Sequence, residues 1–339
     1  MQPKSKARNT ASSVCKLAAT LALFYLTFRL VGKPLAQWPS LIESLHISLS
    51  KLAIALALLL LTVLVNSGKW VLTLKTPLRV PISLGRALYY YCTGYFFNSF
   101  ITGSGDIKRA FDLGKESRRI SQAWASVMLD RWSGVIGQLV VTFISLQMAA
   151  NLVPALRFLS WLCALGIVFL LIGFYTVASL PLHCRPTAKL WLICWRLQRA
   201  FAAYKKCPLL LIACLLLSLI SPLLLVAAHF ALAKGLNIGV SAQTLFYYVP
   251  TVSVFAQMPI TVNGFGLQDY CMVSLLQNKM DSVQALTLSI AFHIARLATG
   301  AICGLVYSLF PNLGLANVSL LPQKADIIKK VSLQQEDLN

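Results

Sequence analysis

The sequence contains two similar motifs, each at a point where an apolar segment is interrupted. The first, FFNSFITGSGDIKRAF, spans residues 96–111, and the second, FAQMPITVNGFGLQDY, spans residues 255–270. Both contain Gly-x-Gly followed closely by an acid: Gly103, Gly105 and Asp106, then Gly264, Gly266 and Asp269. About half of the chain separates the copies, which indicates an internal duplication. In membrane transporters, interrupted segments at corresponding points of two halves indicate a substrate site near the bilayer midplane.

The composition is that of an integral membrane protein. Of 339 residues, 58% are hydrophobic and only 12% are charged, which excludes an ordinary soluble domain. Stretches of about 20 apolar residues, enough to cross the bilayer, run near 14–33, 48–67, 122–149, 158–180, 208–233 and 285–310. Regions 83–104 and 244–277 are apolar but interrupted. We therefore predict an all-α, polytopic fold with about six full spans and two re-entrant hairpins.

Basic residues predict the orientation of the chain. A net charge of +20 is also typical of nucleic-acid binding, but in membrane proteins Lys and Arg concentrate in cytoplasmic loops. Most of them fall on one side if the N-terminus is cytoplasmic and each hairpin enters and leaves on the same face. The cytoplasmic segments are then 1–16, 66–87, 104–121, 181–207 and 310–339. We expect no nucleic-acid partner, cytoplasmic termini and a multi-pass location in the cell inner membrane.

The same topology makes the two copies inverted relative to each other, because region 83–104 opens to the cytoplasm and region 244–277 enters from outside. Inverted repeats are common in transporters. The predicted transmembrane domain spans residues 1–323, with repeats at about 14–150 and 158–310, and a polar cytoplasmic tail follows at 324–339. Segment 181–207, between the repeats, mixes basic and aromatic residues. It is either a helix on the inner leaflet or an ordinary positive-inside loop.

Ionisable residues inside the predicted spans are candidates for function, because a charge in the bilayer is costly. Asp130 and Arg131 lie about nine residues, roughly 13 Å, into the span that begins near residue 121. Arg296 lies near the middle of the last span, one turn after His293. A buried arginine needs an anionic partner, which is Asp130, Asp269 or a lipid phosphate. Guanidinium suits phosphate because it can bind two oxygens at once.

The acids of the two motifs have two interpretations. Glycine lets the backbone turn and present N–H groups to an anion, so the acids can belong to a substrate loop. Alternatively, each acid caps the helix that follows. Asn98 and Asn263 flank the breaks, where freed backbone groups need partners. The predicted substrate-binding residues are Asn98, Gly103, Gly105, Asp106, Arg109, Asp130, Arg131, Asn263, Gly264, Gly266, Asp269 and Arg296.

Enzyme signatures are scarce in the sequence. A phosphate-binding loop, H-E-x-x-H and G-x-S-x-G are absent, and the nine cysteines have no metal-ligand spacing. Asp106 and Asp112 are close in sequence and flank two basic residues, which is a weak metal pattern. We expect no cofactor and no metal, while an enzymatic role stays open.

Two runs of residues resemble the membrane domain of the lysylphosphatidylglycerol synthase family, also described as flippase-like. The runs are Arg86, Phe97, Asn98, Gly103, Gly105, Asp106, Arg109, Ala125, Ser126, Val127, Asp130, Arg131 and Gly134, then Pro259, Ile260, Asn263, Gly264, Gly266 and Asp269. This chain departs from the family pattern at Thr102 and Ser104, where a proline and a glycine are usual, and at Asp269, where glutamate is usual.

The resemblance implies the lipid-translocating part of the family without its soluble aminoacyl-transferase domain. We expect a lipid flippase or transporter that translocates or presents an anionic, aminoacylated or polyprenyl-linked lipid, so its partners are membrane lipids. Two alternatives stay open. One is an integral-membrane lipid head-group transferase, and the other is a non-catalytic partner of a separate synthase or glycosyltransferase.

Overall fold

The computed structural model describes residues 18, 20–27, 29–31, 48–80, 82–101, 103–149, 155–179, 189–258, 260–261 and 263–310. Ten helices account for the regular structure from residue 48 onward in this part of the chain. They are α1 Leu49–Lys75, α2 Leu84–Asn98, α3 Ser104–Ser117, α4 Ile120–Ala149, α5 Ala155–Ser179, α6 Lys189–Lys205, α7 Pro208–Gly235, α8 Ala242–Ala256, α9 Leu267–Leu276 and α10 Ser282–Leu309. The predicted tail at 324–339 and the basic N-terminal residues 1–16 lie outside the described residues.

Five of these helices are long and apolar enough to cross a membrane: α1, α4, α5, α7 and α10. They coincide with five of the six predicted spans. A shorter apolar helix, Thr20–Val31, lies within the remaining predicted span, near residues 14–33. The all-α, multi-pass fold is therefore confirmed, whereas the number of crossings, the re-entrant character of the two hairpins and their membrane faces stay predictions.

The order of helices repeats in the two halves of the chain. Helices α1 to α4 contain 27, 15, 14 and 30 residues, and α7 to α10 contain 28, 15, 10 and 28. Both 15-residue helices begin after a serine, Ser83 or Ser241, whose side chain accepts a hydrogen bond from the backbone three residues later. This parallel supports the predicted duplication.

Two segments that the sequence assigned to cytoplasmic loops are helical. Helix α1 continues to Lys75, because the buried residues Trp70 and Leu74 extend its apolar face beyond the predicted end of the span. Lys69 is consequently buried at 2% exposure instead of lying in a loop. Residues 104–117 form α3, which buries one face and packs against α2 and α4.

Segment 181–207 contains helix α6 in its described part. Tyr204 is fully buried, and its hydroxyl donates a hydrogen bond of 2.9 Å to the carbonyl oxygen of Thr73. This contact fixes α6 against α1. The loop interpretation is therefore wrong for residues 189–205, whereas a position on the inner leaflet stays a prediction.

Helices α1, α4 and α7 pack against one another and position the site. A close backbone approach between α4 and α7 occurs at Gly137, where an added Cβ would lie 2.6 Å from the Ser218 carbonyl oxygen. Pro222 lacks the N–H that would normally bond to that carbonyl within α7. The Ser218 carbonyl therefore lacks its usual intrahelical N–H partner and faces α4. Lys69 lies at the same level of the bundle, and its Nζ donates a hydrogen bond of 3.1 Å to Ser218 Oγ.

Candidate functional site

The first helix break is closed by its own polar groups. Gly103 has a positive φ of 88°, which reverses the chain between α2 and α3. The Asn98 side-chain oxygen accepts a hydrogen bond of 2.9 Å from the Gly105 N–H. Gly105 also lies so close to α2 that an added Cβ would be 1.7 Å from the Gly94 carbonyl oxygen. Asn98 and Gly105 therefore hold the break together, and the Gly105 N–H is already occupied.

The second break contains residues with positive φ angles and a buried acid. Asn263, Gly264 and Gly266 all have positive φ, at 53°, 82° and 78°. Asp269 is fully buried, and its Oδ2 accepts a hydrogen bond of 2.9 Å from the Gly266 N–H. Its Oδ1 accepts from Ser289 Oγ at 2.6 Å. Asp269 thus caps α9 and attaches the break to α10.

The two breaks contact each other in the folded protein. Asn263 Nδ2 donates a hydrogen bond of 3.1 Å to the carbonyl oxygen of Ser99, 164 residues earlier. Arg296 Nη2 donates to the Asn263 carbonyl oxygen at 2.6 Å. Gly300 of α10 leaves space for Ser99, because a Cβ there would lie 2.5 Å from Ser99 Oγ. Residues from both breaks therefore form one site.

A polar cavity of about 420 Å³ opens between the breaks. The first break contributes Asn98, Ser99, Gly103 and Asp106, and the second contributes Asn263. The long helices and α2 contribute Asn66, Tyr91, Tyr95, Arg131 and Arg296. A smaller cavity of about 170 Å³ shares Asn66, Tyr91 and Arg131 with the first and continues the polar surface toward Asp130.

Asp130 is the centre of a buried ion-pair cluster. Its carboxylate lies 3.0 Å from Lys69 Nζ and 2.8 Å from Arg109 Nη2, and it accepts a hydrogen bond of 2.9 Å from the Tyr91 hydroxyl. The Arg109 guanidinium also lies over the rings of Trp70 and Tyr91, at 4.7 and 4.4 Å from their centroids. Paired and hydrogen-bonded in this way, the buried charges compensate one another.

Asp106 connects this cluster to the cavity. Arg131 binds it with two groups, Nε at 2.7 Å and Nη2 at 2.8 Å, and Arg109 Nη2 lies 3.2 Å from the same carboxylate. The Arg131 side chain is 56% exposed and forms part of the cavity wall. Three cations therefore share two carboxylates, Asp106 and Asp130, which leaves an excess of positive charge.

Arg296 adds a fourth cation, and it has no carboxylate partner among the described residues. No acid in the described part of the chain lies within salt-bridge distance of its guanidinium. Its Nε is buried without a hydrogen-bond partner there, and its Nη2 contacts the Asn263 carbonyl and His293 Nδ1 at 3.3 Å. Asp130 and Asp269, the protein partners considered from sequence, are paired with other residues instead.

The predicted site residues divide into three groups in the structure. Six line the cavity: Asn98, Gly103, Asp106, Arg131, Asn263 and Arg296. Arg109 and Asp130 form the ion-pair cluster behind it. Gly105, Gly264, Gly266 and Asp269 shape the backbone of the breaks and are not among the residues that line this cavity.

Four residues of this region were not among the predicted site residues: Asn66, Lys69, Tyr91 and Tyr95. Asn66 and Lys69 lie one helical turn apart in the apolar run VLVNSGKWVL, so their side chains share a face of α1. Two polar residues on one face of an apolar helix could have predicted a polar site there. The tyrosines carried no such signal, because aromatic residues are common in apolar segments of any role.

Helices of membrane-spanning length surround an ion-pair cluster, and a polar cavity lies beside it, between two broken helices. These features define a multi-pass integral membrane protein with an internal polar site. The chain matches the family model for the lysylphosphatidylglycerol synthase TM region over residues 13–304, and it belongs to this family. The family resemblance drawn from the two motifs is confirmed. Searches of curated proteins and of solved structures found no match.

Proposed function

We propose that this protein translocates a phosphate-bearing lipid between the leaflets of the cell inner membrane and binds the head group in the 420 Å³ cavity. The observation that carries the proposal is Arg296, a half-buried cation on the cavity wall without a described carboxylate partner. A lipid phosphate would supply the missing anion and accept hydrogen bonds from the guanidinium. Charged groups inside a membrane protein commonly mark a substrate pathway.

The remaining cavity residues suit a head group with both charge and hydroxyl groups. Asn98 and Asn263 offer amide groups, and Tyr91 and Tyr95 offer hydroxyls. Arg131 adds positive charge, whereas Asp106 offers a carboxylate to an amino group on the lipid. An anionic, aminoacylated or polyprenyl-phosphate lipid is therefore the expected substrate class.

The cavity is large enough for a head group but not for a whole lipid, so the acyl chains would stay in the bilayer. Its volume lies within the usual range for small-ligand sites, roughly 300–1,000 Å³. In this mechanism one repeat moves against the other and breaks the Asn263–Ser99 hydrogen bond that joins them. The positive-inside pattern supports cytoplasmic termini.

The test is a transbilayer assay in liposomes that contain fluorescent phosphatidylglycerol. Arg296→Gln should slow translocation by about 10-fold to 100-fold, as expected for the loss of a charged hydrogen bond in a desolvated site. Arg157→Gln is the matched control, because Arg157 is an exposed arginine of α5 that does not line the cavity. Equal rates for wild type and Arg296→Gln would refute the site.

The same liposomes separate the two alternatives. A head-group transferase would generate a new lipid species that mass spectrometry detects, whereas a flippase changes only the leaflet. A partner protein would show no translocation until its synthase or glycosyltransferase is added.

A further inference from the structure

A second polar cavity, of about 500 Å³, lies at a different place in the fold. It opens between the link from α1 to α2, the start of α4, and helix α6. It shares no residue with the cavity assigned to the transported lipid. Its occupant therefore need not be the transported head group.

Among the described residues that line this cavity, the charged ones are all arginines: Arg118, Arg119 and Arg199. No carboxylate of the described chain forms a salt bridge with any of them. Three like charges around one concavity create a strong positive potential, which an anion would relieve.

The cavity is held in shape before any ligand arrives. Arg119 Nη1 donates hydrogen bonds of 3.2 Å to the carbonyl oxygens of Leu78 and Arg79, so it connects the start of α4 to the α1–α2 link. The Arg199 guanidinium lies over the Trp195 ring at 4.6 Å from the centroid. Because the arginines are positioned in advance, a ligand loses less free energy in ordering them.

Two further features of the wall indicate the kind of ligand. Gln122 lies on the cavity wall, and its side-chain oxygen is buried without a hydrogen-bond partner within the described residues, so a small rotation of this side chain would let it accept from a ligand hydroxyl. Ile120, on the same wall, is 55% exposed and offers an apolar contact. Phosphate, hydroxyl and hydrocarbon occur together in an anionic phospholipid.

We propose that this cavity binds the phosphate head group of an anionic phospholipid from the leaflet on which α6 lies. Helix α6 connects the two halves of the chain, and a lipid bound here braces it against the α1–α2 and α3–α4 links. A free phosphate carries the same negative charge, but it has no hydrocarbon to contact Ile120. The aromatic and basic residues of α6 favour the lipid, since such helices associate with anionic membrane surfaces.

The test measures lipid retention by native mass spectrometry of the full chain, titrated with phosphatidylglycerol or phosphatidylcholine in detergent. Wild type should bind phosphatidylglycerol in preference to phosphatidylcholine. Arg118→Gln with Arg199→Gln should weaken phosphatidylglycerol binding about 25-fold, since each arginine near an anionic head group contributes roughly a fivefold factor. Arg199→Gln alone, at an exposed position of α6, should weaken phosphatidylglycerol binding about fivefold. This single variant replaces the double variant if the double variant misfolds.

The matched control is Lys115→Gln with Lys206→Gln, which removes two exposed basic residues that do not line the cavity. It should leave phosphatidylglycerol binding unchanged. An equal loss in the control, or no lipid preference in wild type, would overturn the proposal. A parallel titration with inorganic phosphate tests the source, and phosphate binding as tight as that of the lipid would overturn the lipid assignment. Arg296→Gln should keep this binding, so failure of the transport proposal is distinguishable.

Discussion

Replacing Gly105 with alanine should destabilise the first helix break more than any other glycine substitution in that region. An added Cβ would lie 1.7 Å from the Gly94 carbonyl oxygen and 2.7 Å from the Gly94 Cα. Ordinary contact for a Cβ begins at 3.4 Å, and the obstacle is backbone, which cannot rotate away. Helices α2 and α3 would have to separate, at a cost of about 3 kcal/mol or more in the free energy of unfolding.

Two other glycines of the same region serve as controls, because they separate steric overlap from other effects. Gly85→Ala, within α2, meets nothing within 4 Å and should be neutral or stabilising by about 0.5–1 kcal/mol, since alanine favours a helix. Gly103→Ala also meets nothing, but its φ of +88° should cost about 1–2 kcal/mol. The measurement is the free energy of unfolding from SDS titration of the protein in dodecylmaltoside micelles.

The expected order of stability is Gly85→Ala, then Gly103→Ala, then Gly105→Ala. If Gly105→Ala unfolds within about 0.5 kcal/mol of wild type, the usual range for neutral surface changes, the close approach of α2 and α3 is wrong. If Gly103→Ala is the most destabilised variant, strain in the turn matters more than packing.

Three further predictions concern the charge cluster and the second break. Asp130→Asn should cost about 3–5 kcal/mol in the free energy of unfolding, because it leaves buried cations uncompensated. Lys69→Met should cost less, since the carboxylate keeps its arginine and tyrosine partners; the reverse order in SDS titration would contradict the cluster. Asp269→Asn should lower stability but keep lipid translocation per folded molecule, because this acid caps α9 and does not line the cavity. A loss as large as that of Arg296→Gln would assign it to the substrate instead. Asn263→Gly should retain the positive φ but lose the side-chain hydrogen bond to the first break, at a cost of about 0.5–1.5 kcal/mol, and an unchanged unfolding curve would argue against contact between the breaks.

Hydropathy and glycine placement predicted most of the helices and both breaks, because these are local properties of the chain. The ends of elements were less accurate. Lys69 was assigned to the cytoplasmic segment 66–87, yet the apolar residues after it continue α1. Residues 104–117 appeared to be a basic loop because of their charge, yet one face of α3 is buried. In both cases tertiary packing outweighed the average polarity of the segment.

Six of the residues that line the candidate site were predictable from the sequence, but their arrangement was not. The sequence offered Asp130, Asp269 or a phosphate as partners for Arg296 and had no means to choose among them. In the structure Asp130 pairs with Lys69 and Arg109, while Asp269 pairs with His293 and caps its own helix.

Local sequence patterns were sufficient to establish an α-helical membrane protein with two similar breaks, since bilayer thickness and glycine conformation act on short segments. The folded arrangement was needed to show that the breaks meet, that Asp106 and Asp130 are both compensated, and that Arg296 is left with a cavity in front of it. Ion pairs form between whichever charges the packing of helices brings within a few ångströms. The Asn263–Ser99 hydrogen bond joins residues 164 positions apart, and no local pattern specifies such a contact.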